Sequence, residues 1–476
     1  MKKNVFLTLV AVFLAMQFSF AQDKVINSVI EKGRTDNRTM EHADFLSNRI
    51  GGRIIGSQAL VEAEKWAAEQ FKSWGLEVMV QEVGEINVGF ERGPWSGRML
   101  GEDGMTLHFG TPSYTAGTKG PQKGHVVIAP KSKAQFDRMK GAIKGAWVLV
   151  EGTSSGWPLD IKAQSDTTFY QEMIEAGALG FIQSAKVPIT LLYDRKHCYE
   201  FTMDSLPQVP DIKLDENQFE IIRRKVLEKR DFLLEFDIRN HFYEGPVKYH
   251  NIIGVLKGSK YPDEYVMMGG HLDAYDSATG AVDDANGSSV TMEAARLLAA
   301  SGAKPKRTML FCLWTGEEYG LYGSKFFVEN NTVPLDRISN YFNRDGGPLM
   351  DTSVTVPEAM YEDFVKVCKP IENYNDKVPF TVRKRSGEPG PRPTKAGGSD
   401  HAYFAMNGVP TINLSETDPF GYNFDYREIW HTDRDLFNKL IPEYMEHSAV
   451  VEAVIAYGLA NLDHILSREG LYKKEN

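Results

Sequence analysis

The sequence from Asn251 onward alternates long apolar runs with amphipathic helical segments, and this alternation limits the fold more than any other feature. Runs such as EYVMMGG and RTMLFCLW are apolar at nearly every position, as in strands that are covered on both faces. Strands that alternate with helices in this way are typical of the α/β class. The pattern predicts a mainly parallel mixed sheet flanked by helices.

A shorter α/β unit precedes this region, and a segment of different composition separates the two α/β units. Ser57 is a predicted N-cap for a helix, and the strand-like run LEVMVQEV follows that helix. In the separating segment, short β-rich runs alternate with Gly, Pro and Ser. We therefore predict one discontinuous α/β domain, residues 22–92 and 246–476, interrupted by a β-rich insertion at residues 93–245.

The first 21 residues have the features of a secretory signal peptide. Two lysines precede an apolar stretch, and Ser19-Phe20-Ala21 has the small-x-small pattern of a cleavage site. The stretch is shorter than the roughly 20 residues that a bilayer span requires, and no later segment is apolar enough to be a predicted span. We expect cleavage of residues 1–21 and export to the periplasm or the extracellular space.

The net charge bears on the class of binding partner, and the cysteine content bears on disulfide bridges. A net charge of -10 and a pI near 5.7 argue against nucleic-acid binding, which relies on concentrated positive charge. The three cysteines share no close spacing and define no disulfide framework. Cys312 lies in an apolar run and is predicted to be buried, whereas a bridge between Cys198 and Cys368 stays open.

Short clusters of histidines and acids follow the strand-like runs of the second α/β segment. Binding sites in open α/β sheets lie beyond the carboxyl ends of the strands, so this placement indicates function. His271 and Asp273 follow EYVMMGG, and Asp283 and Asp284 directly precede a helical segment. Each pair alone also fits a simpler role, a solvated loop for the first and an acidic helix start for the second.

Three more acids and one histidine occur in similar places. Glu317 and Glu318 follow RTMLFCLW in a turn where adjacent side chains point apart, so one can hold a metal while the other faces a bound water. Asp345 follows the strand-like run RISNYF, and His431 lies in EIWHTDRD. Considered singly, each of these residues also fits an exposed surface position.

Together, five of these residues supply two nitrogen and three carboxylate donors, and we call them the donor set: His271, Asp283, Glu318, Asp345 and His431. Five such donors are sufficient for two closely spaced divalent cations that share one carboxylate. A mixed imidazole and carboxylate shell suits Zn²⁺ best, with Co²⁺ or Mn²⁺ as alternatives. The histidines disfavour Mg²⁺ and Ca²⁺.

The motifs HLD, GAVDDANG, WTGEE, NRD and WHTDRD, in this order, resemble those of the co-catalytic, dinuclear zinc exopeptidase family. The segment RIGGRIIGSQA resembles the same family, and the insertion resembles a protease-associated domain. The carboxypeptidase Q branch is the most similar in these features. The resemblance implies the zinc exopeptidase fold, two Zn²⁺ per chain and hydrolysis of peptide bonds near a free terminus.

The resemblance also implies how the donor set divides. His271 and Asp345 would hold one zinc, Glu318 and His431 would hold the other, and Asp283 would bridge the two. No ligand position corresponds to Asp284.

Catalytic and substrate-binding roles follow from the same resemblance. Glu317 matches the general base, Asp273 the acid that orients His271, and Asp435 the acid of the HTxxD pattern. A tyrosine helps to stabilise the oxyanion in relatives, but the corresponding positions here are occupied by Ala396 and Trp430. The substrate-contact candidates are therefore His401 and Trp430, with Tyr422 and Tyr426 as further oxyanion candidates.

The predicted function is a secreted dinuclear zinc exopeptidase, an aminopeptidase or dipeptidase, with a peptide or dipeptide as substrate. A carboxypeptidase of the glutamate carboxypeptidase type stays open, and so does a glutaminyl cyclase-like aminoacyltransferase. A basic cluster fits either a solvated loop or a site for a terminal carboxylate: Arg383, Lys384, Arg385, Arg392 and Lys395. A homodimer also stays open, since protease-associated insertions can cover an active site or mediate dimerisation.

Overall fold

The computed structural model describes residues 22–101, 103–153, 169–185 and 198–474. The predicted signal peptide at residues 1–21 lies outside the described residues. Across those ranges, no helix combines the length and the apolar character that a bilayer crossing requires.

The strands are numbered here in chain order. They are β1 (Glu77–Glu91), β2 (Trp95–Leu100), β3 (Met105–Thr106), β4 (Phe109–Gly110), β5 (Gln122–Ile128), β6 (Ala146–Thr153), β7 (Gly180–Ser184), β8 (Asp211–Leu214), β9 (Leu233–Ile238), β10 (His241–Leu256), β11 (Tyr261–His271), β12 (Arg307–Trp314), β13 (Ile338–Asn343), β14 (Met350–Val356), β15 (Thr381–Lys384) and β16 (Leu414–Thr417).

The α-helices flank these strands and are identified below by their ranges. They are 22–35, Thr39–Asp44, Gln58–Ser73, Lys133–Ile143, Tyr170–Glu175, Glu216–Leu227, Asn286–Ala300, Tyr322–Glu329, Tyr361–Cys368, His401–Met406 and Pro442–Ala460.

The central sheet has the strand order β1-β10-β12-β11-β13. Strand β11 runs parallel to both β12 and β13, whereas β10 is antiparallel to β1 and to β12. Every residue of β12 is buried, as the apolar sequence RTMLFCLW predicts for a covered strand. The α/β class with a mixed sheet flanked by helices is confirmed, and its parallel strands bring three carboxyl ends to one edge.

Helices cover the central sheet and close its core. The Ser57 side chain accepts a hydrogen bond from the Leu60 amide at 3.2 Å, so the predicted N-cap of the Gln58–Ser73 helix is confirmed. The Pro442–Ala460 helix is buried around nearly its whole circumference and packs against the Asn286–Ala300 helix. A helix that is apolar on all sides requires such burial.

A second sheet is formed by the chain between β1 and β10. Its order among the described residues is β3-β2-β9-β5-β6-β7-β8-β4, and Trp147 and Phe236 pack in its own core. The long antiparallel pair of β1 and β10 leads the chain into this segment and back. Strands β15, β14 and β16 form a third, smaller sheet.

The three cysteines are buried and unbridged. The predicted burial of Cys312 is confirmed, and the open alternative of a bridge between Cys198 and Cys368 does not form.

Replacement of Gly269 on β11 tests how tightly the central sheet is packed. A Cβ atom at this position would lie 2.4 Å from the Cys312 carbonyl oxygen of β12. Overpacking of this kind costs about 1–3 kcal/mol, so we expect Gly269→Ala to lower the midpoint of urea unfolding. Gly390→Ala is the matched control, because nothing lies within 4 Å of its added methyl group. Equal midpoints for both variants would contradict the packing described here.

Candidate metal centre

The donor set converges at the edge of the central sheet where β11, β12 and β13 end. His271 is the last residue of β11, Glu318 lies in the turn after β12, and Asp345 follows β13. Asp283 lies in the π-helical turn Ala281–Ala285, directly before the Asn286–Ala300 helix. His431 comes from a loop before the last helix and has a left-handed φ of 54°, which is uncommon for a residue other than glycine.

The five side chains form two groups that share Asp283. In the first group, the ligand atoms of His271, Asp283 and Asp345 lie within 4.8 Å of one another. In the second group, the same holds for Asp283, Glu318 and His431. The fold therefore brings all five predicted donors together in two overlapping triplets.

The Asp283 carboxylate lies between the two histidines. Its Oδ1 is 3.0 Å from Nε2 of His271, and its Oδ2 is 3.5 Å from Nε2 of His431. Nε2 of His431 is also 3.1 Å from Oε2 of Glu318, and Nε2 of His271 is 3.7 Å from Oδ1 of Asp345. Each oxygen of Asp283 thus faces a different triplet, as a bridging ligand requires.

The backbone of Asp273, rather than its carboxylate, contacts His271 most closely. Nδ1 of His271 lies 2.8 Å from the Asp273 carbonyl oxygen and 3.7 Å from its carboxylate. A proton on Nδ1 would leave the Nε2 lone pair directed at the donor set. The carboxylate instead accepts the backbone N–H groups of Glu317 at 3.1 Å and Glu318 at 3.3 Å. Asp273 therefore fixes the turn that carries both glutamates.

Asp435 and Asp284 hold the segment around Asp283 in the same way. The Asp435 carboxylate accepts the amide N–H groups of Val282 at 2.6 Å and Asp283 at 3.2 Å. Asp284 turns away from the donor set, and its carboxylate accepts the amides of His271 and Gly287 at 3.1 and 2.8 Å.

Arg53 is a supporting residue whose role the sequence did not indicate, although it lies in the RIGGRIIGSQA segment. Its guanidinium is fully buried and donates only to backbone carbonyl groups, those of Leu46, Gly51, Leu272, Thr279 and Gly280. Three of these carbonyls belong to the segment that joins His271 to Asp283. The guanidinium thus fixes the loop between two members of the donor set.

The carboxylates of the centre are buried close to one another, and this shifts their pKa values. Burial raises the pKa values of Glu317 and Glu318 well above the ordinary range, and nearby carboxylates raise them further. Burial also raises the pKa of Asp435 to about 7 and lowers that of Arg53 to about 10. Carboxylates outnumber the cationic side chains here, so two divalent cations fit both the charge and the donor types.

A cleft of about 700 Å³ opens directly over the donor set. Besides Asp283, Glu317, Glu318, Asp345 and His431, it is lined by aromatic, aliphatic and glycine residues: Tyr275, Gly320, Leu321, Ala396, Gly397, Gly398, Tyr403, Tyr426 and Trp430. Glu317 thus faces the same space as the donor set. Tyr275, Leu321 and Tyr403 had no sequence signal that distinguished them from core residues.

The substrate-contact candidates differ in their placement. Trp430 lines the cleft, stacks on His431 and is 40% exposed. Tyr426 lines the same cleft as Asp283 and Glu318. His401 is not among the residues that line the cleft, although its imidazole would lie 3.6 Å from a Cβ added at the lining residue Gly398. Tyr422 is exposed and bonded to Glu443 instead.

Comparison with known proteins identifies similar chains. Residues 251–456 match the sequence profile of peptidase family M28. Carboxypeptidase Q of Mus musculus is 24% identical over 454 residues, which cover 94% of this chain and 90% of that protein.

Two solved structures have a similar fold. A peptidase M28 precursor from Shewanella amazonensis has a TM-score of 0.62 at 20% identity and covers 94% of this chain and 98% of its own. BSAP, a zinc aminopeptidase from Bacillus subtilis, has a TM-score of 0.55 at 18% identity and covers 92% and 97%. At these identities, the two structures support the fold alone.

Thermal unfolding with and without zinc tests whether the centre holds metal. A ligand present at a thousand times its Kd stabilises the folded state by about 4 kcal/mol. We therefore expect zinc to raise the Tm of chelator-treated protein. Asp283→Asn should abolish most of this rise because both triplets share Asp283, whereas the exposed Asp137→Asn should retain it. A Tm that zinc leaves unchanged in the unsubstituted protein would exclude such a centre.

Proposed function

We propose that the chain, a metallopeptidase whose residues 251–456 match peptidase family M28, is an exported dinuclear zinc exopeptidase. The observation that carries this proposal is the pair of donor triplets that share Asp283 beneath an open cleft. In the proposal, one zinc is held by His271, Asp345 and Asp283. The other is held by Glu318, His431 and Asp283, with Co²⁺ or Mn²⁺ as substitutes.

Bound zinc would supply acidity to a water molecule and polarise the carbonyl group of the scissile bond. The chain itself must then accept and return a proton. Glu317 is the proposed general base, because it faces the cleft beside the donor set and its turn is fixed by Asp273. Its carboxylate takes the proton from water and delivers it to the leaving amine nitrogen.

Tyr426 is the proposed donor to the developing oxyanion. It lines the cleft together with Asp283 and Glu318, so a phenol donor shares the space of the donor set. Trp430 would pack against the substrate at the rim of the cleft. His401 is a weaker candidate, since it is not among the residues that line the cleft.

The charges around the cleft favour recognition of a free amine over a free carboxylate. Neither lysine nor arginine is among the described residues that line it. Two of the five residues of the basic cluster bind elsewhere: Lys384 pairs with Glu358 at 2.7 Å, and Arg385 donates to the carbonyls of Gly470 and Leu471. We therefore propose an aminopeptidase or dipeptidase, with a carboxypeptidase of the glutamate carboxypeptidase type as the second candidate.

The β-rich segment from β2 to β9 is the proposed protease-associated insertion. It contacts two loops of the centre: the Ser113 hydroxyl donates to the Asp276 carboxylate, and His108 contacts Asp433. These contacts lie next to the loops that carry His271 and His431. They support a role for the insertion in bordering the cleft, and dimerisation of the chain remains open.

Glu317→Gln tests the general base. The amide cannot accept a proton, and general acid–base groups contribute about 10²–10⁴-fold to rate, so we expect kcat to fall by this factor while zinc content stays unchanged. Turnover of dipeptides and zinc content by elemental analysis are the measurements. Glu329→Gln, on an exposed helix end, should retain full turnover. A Glu317→Gln enzyme with near-normal kcat would exclude the assignment.

A dipeptide series with free, N-acetylated and C-amidated ends tests terminus recognition. We expect N-acetylation to abolish cleavage and C-amidation to leave an aminopeptidase active, since the cleft lining provides no cation for a carboxylate. Loss on C-amidation alone would instead identify a carboxypeptidase. Chelator-insensitive cleavage would contradict the metal mechanism, and cyclisation of an N-terminal glutamine without hydrolysis would indicate the cyclase class.

A further inference from the structure

Arg344 lies between β13 and the donor-set residue Asp345, and its backbone is held on both sides. Its amide N–H donates to the Gly269 carbonyl of β11 at 2.9 Å. Its own carbonyl oxygen occupies space left by two glycines, since added Cβ atoms at Gly270 and Gly287 would lie 2.9 and 2.1 Å from it. The residue is therefore packed against the strand that ends at His271.

The Arg344 side chain points away from the cleft into a buried group of carboxylates. It is only 3% exposed, and Nη1 lies 3.0 Å from Asp351, 3.1 Å from Glu452 and 3.2 Å from Glu416. Nη2 donates to the Leu349 carbonyl at 2.8 Å. We call these four charged residues the Arg344 network.

The partners in the Arg344 network come from three separate elements. Asp351 lies on β14, Glu416 on β16, and Glu452 on the Pro442–Ala460 helix. The helix and the small sheet are thereby connected to a single residue next to Asp345. Removal of one partner from a buried ionic group is strongly destabilising locally, because it leaves an uncompensated charge.

We propose that Arg344 is a positioning residue that holds Asp345 in place for the metal bound by His271, Asp345 and Asp283. The inference rests on the proposed dinuclear function. Asp345 follows Arg344 directly in the chain. The guanidinium that is fixed in the core holds the backbone of Arg344, and this backbone limits the directions in which the Asp345 carboxylate can point. Other groups hold two of the remaining donors: Asp435 holds Asp283, and Asp273 holds the turn of Glu318. His431 lies on a separate loop.

This division has a specific consequence for metal binding. Loss of the Arg344 network should weaken the triplet that contains Asp345 and leave the triplet of Asp283, Glu318 and His431 nearly unchanged. Residues that support metal ligands typically contribute about 10–100-fold to metal affinity. A general loss of stability would instead weaken both triplets alike.

The experiment measures zinc stoichiometry and affinity by equilibrium dialysis against a chelator of known zinc affinity. The variants are Arg344→Lys, which keeps the charge but cannot reach three carboxylates, and Asp351→Asn, which keeps the side-chain shape. Arg296→Lys is the matched control, because Arg296 is also buried and bonded to carboxylates, those of Glu293 and Asp36. It lies on a helix face that does not contact the donor set.

We expect unsubstituted protein and Arg296→Lys to bind two zinc ions with equal affinities. Arg344→Lys and Asp351→Asn should keep one at normal affinity and bind the other about 10–100-fold more weakly. If Arg344→Lys does not fold, Asp351→Asn decides. Two unchanged sites, or equal weakening of both sites, would overturn the role of Arg344 while the proposed function stands. Fewer than two zinc ions on the unsubstituted protein would instead overturn the dinuclear proposal itself.

Discussion

The concentration of buried carboxylates at one edge of the central sheet is the constraint on which the rest of the structure depends. Donor and supporting acids lie within a few ångströms of each other, and burial penalises their charged forms. Cations and backbone N–H groups that contact the carboxylates offset this penalty. The structure provides both, in the form of Arg53, two histidines and donor triplets suited to dications.

The support around the donor set is distributed over distant parts of the sequence. Asp273 fixes the Glu317–Glu318 turn, Asp435 fixes the Asp283 segment, and Arg53 fixes the connecting loop from the N-terminal side of the chain. These contacts use backbone amides and carbonyls, so they position the donor set without occupying its side-chain donor atoms. The insertion between β1 and β10 adds contacts to the same loops from outside. A metallopeptidase centre is thereby built from a rigid sheet edge and loops that are fixed individually.

The cleft is lined by carboxylates of the donor set and by aromatic and glycine residues. Carboxylates lie at its base, whereas Tyr275, Tyr403 and Trp430 form part of its walls. An apolar wall would accept a side chain, and the described lining residues include no lysine or arginine that could pair with a substrate carboxylate. Both features fit the proposed cleavage of a residue with a free amino group.

The sequence by itself determined the α/β class, the Ser57 cap and the donor set, because strand periodicity and the placement of acids and histidines after strands are local properties. Only the tertiary structure decided that Asp273 bonds to His271 through its carbonyl, that Tyr426 rather than Tyr422 lines the cleft, and that Arg53 and Arg344 support the centre. The physical reason differs between these contacts: those of Arg53 join segments up to 227 residues apart, whereas the contact of Asp273 with His271 depends on how the loop after β11 folds. A buried arginine has the same local sequence signature as a solvated one until its partners are placed around it.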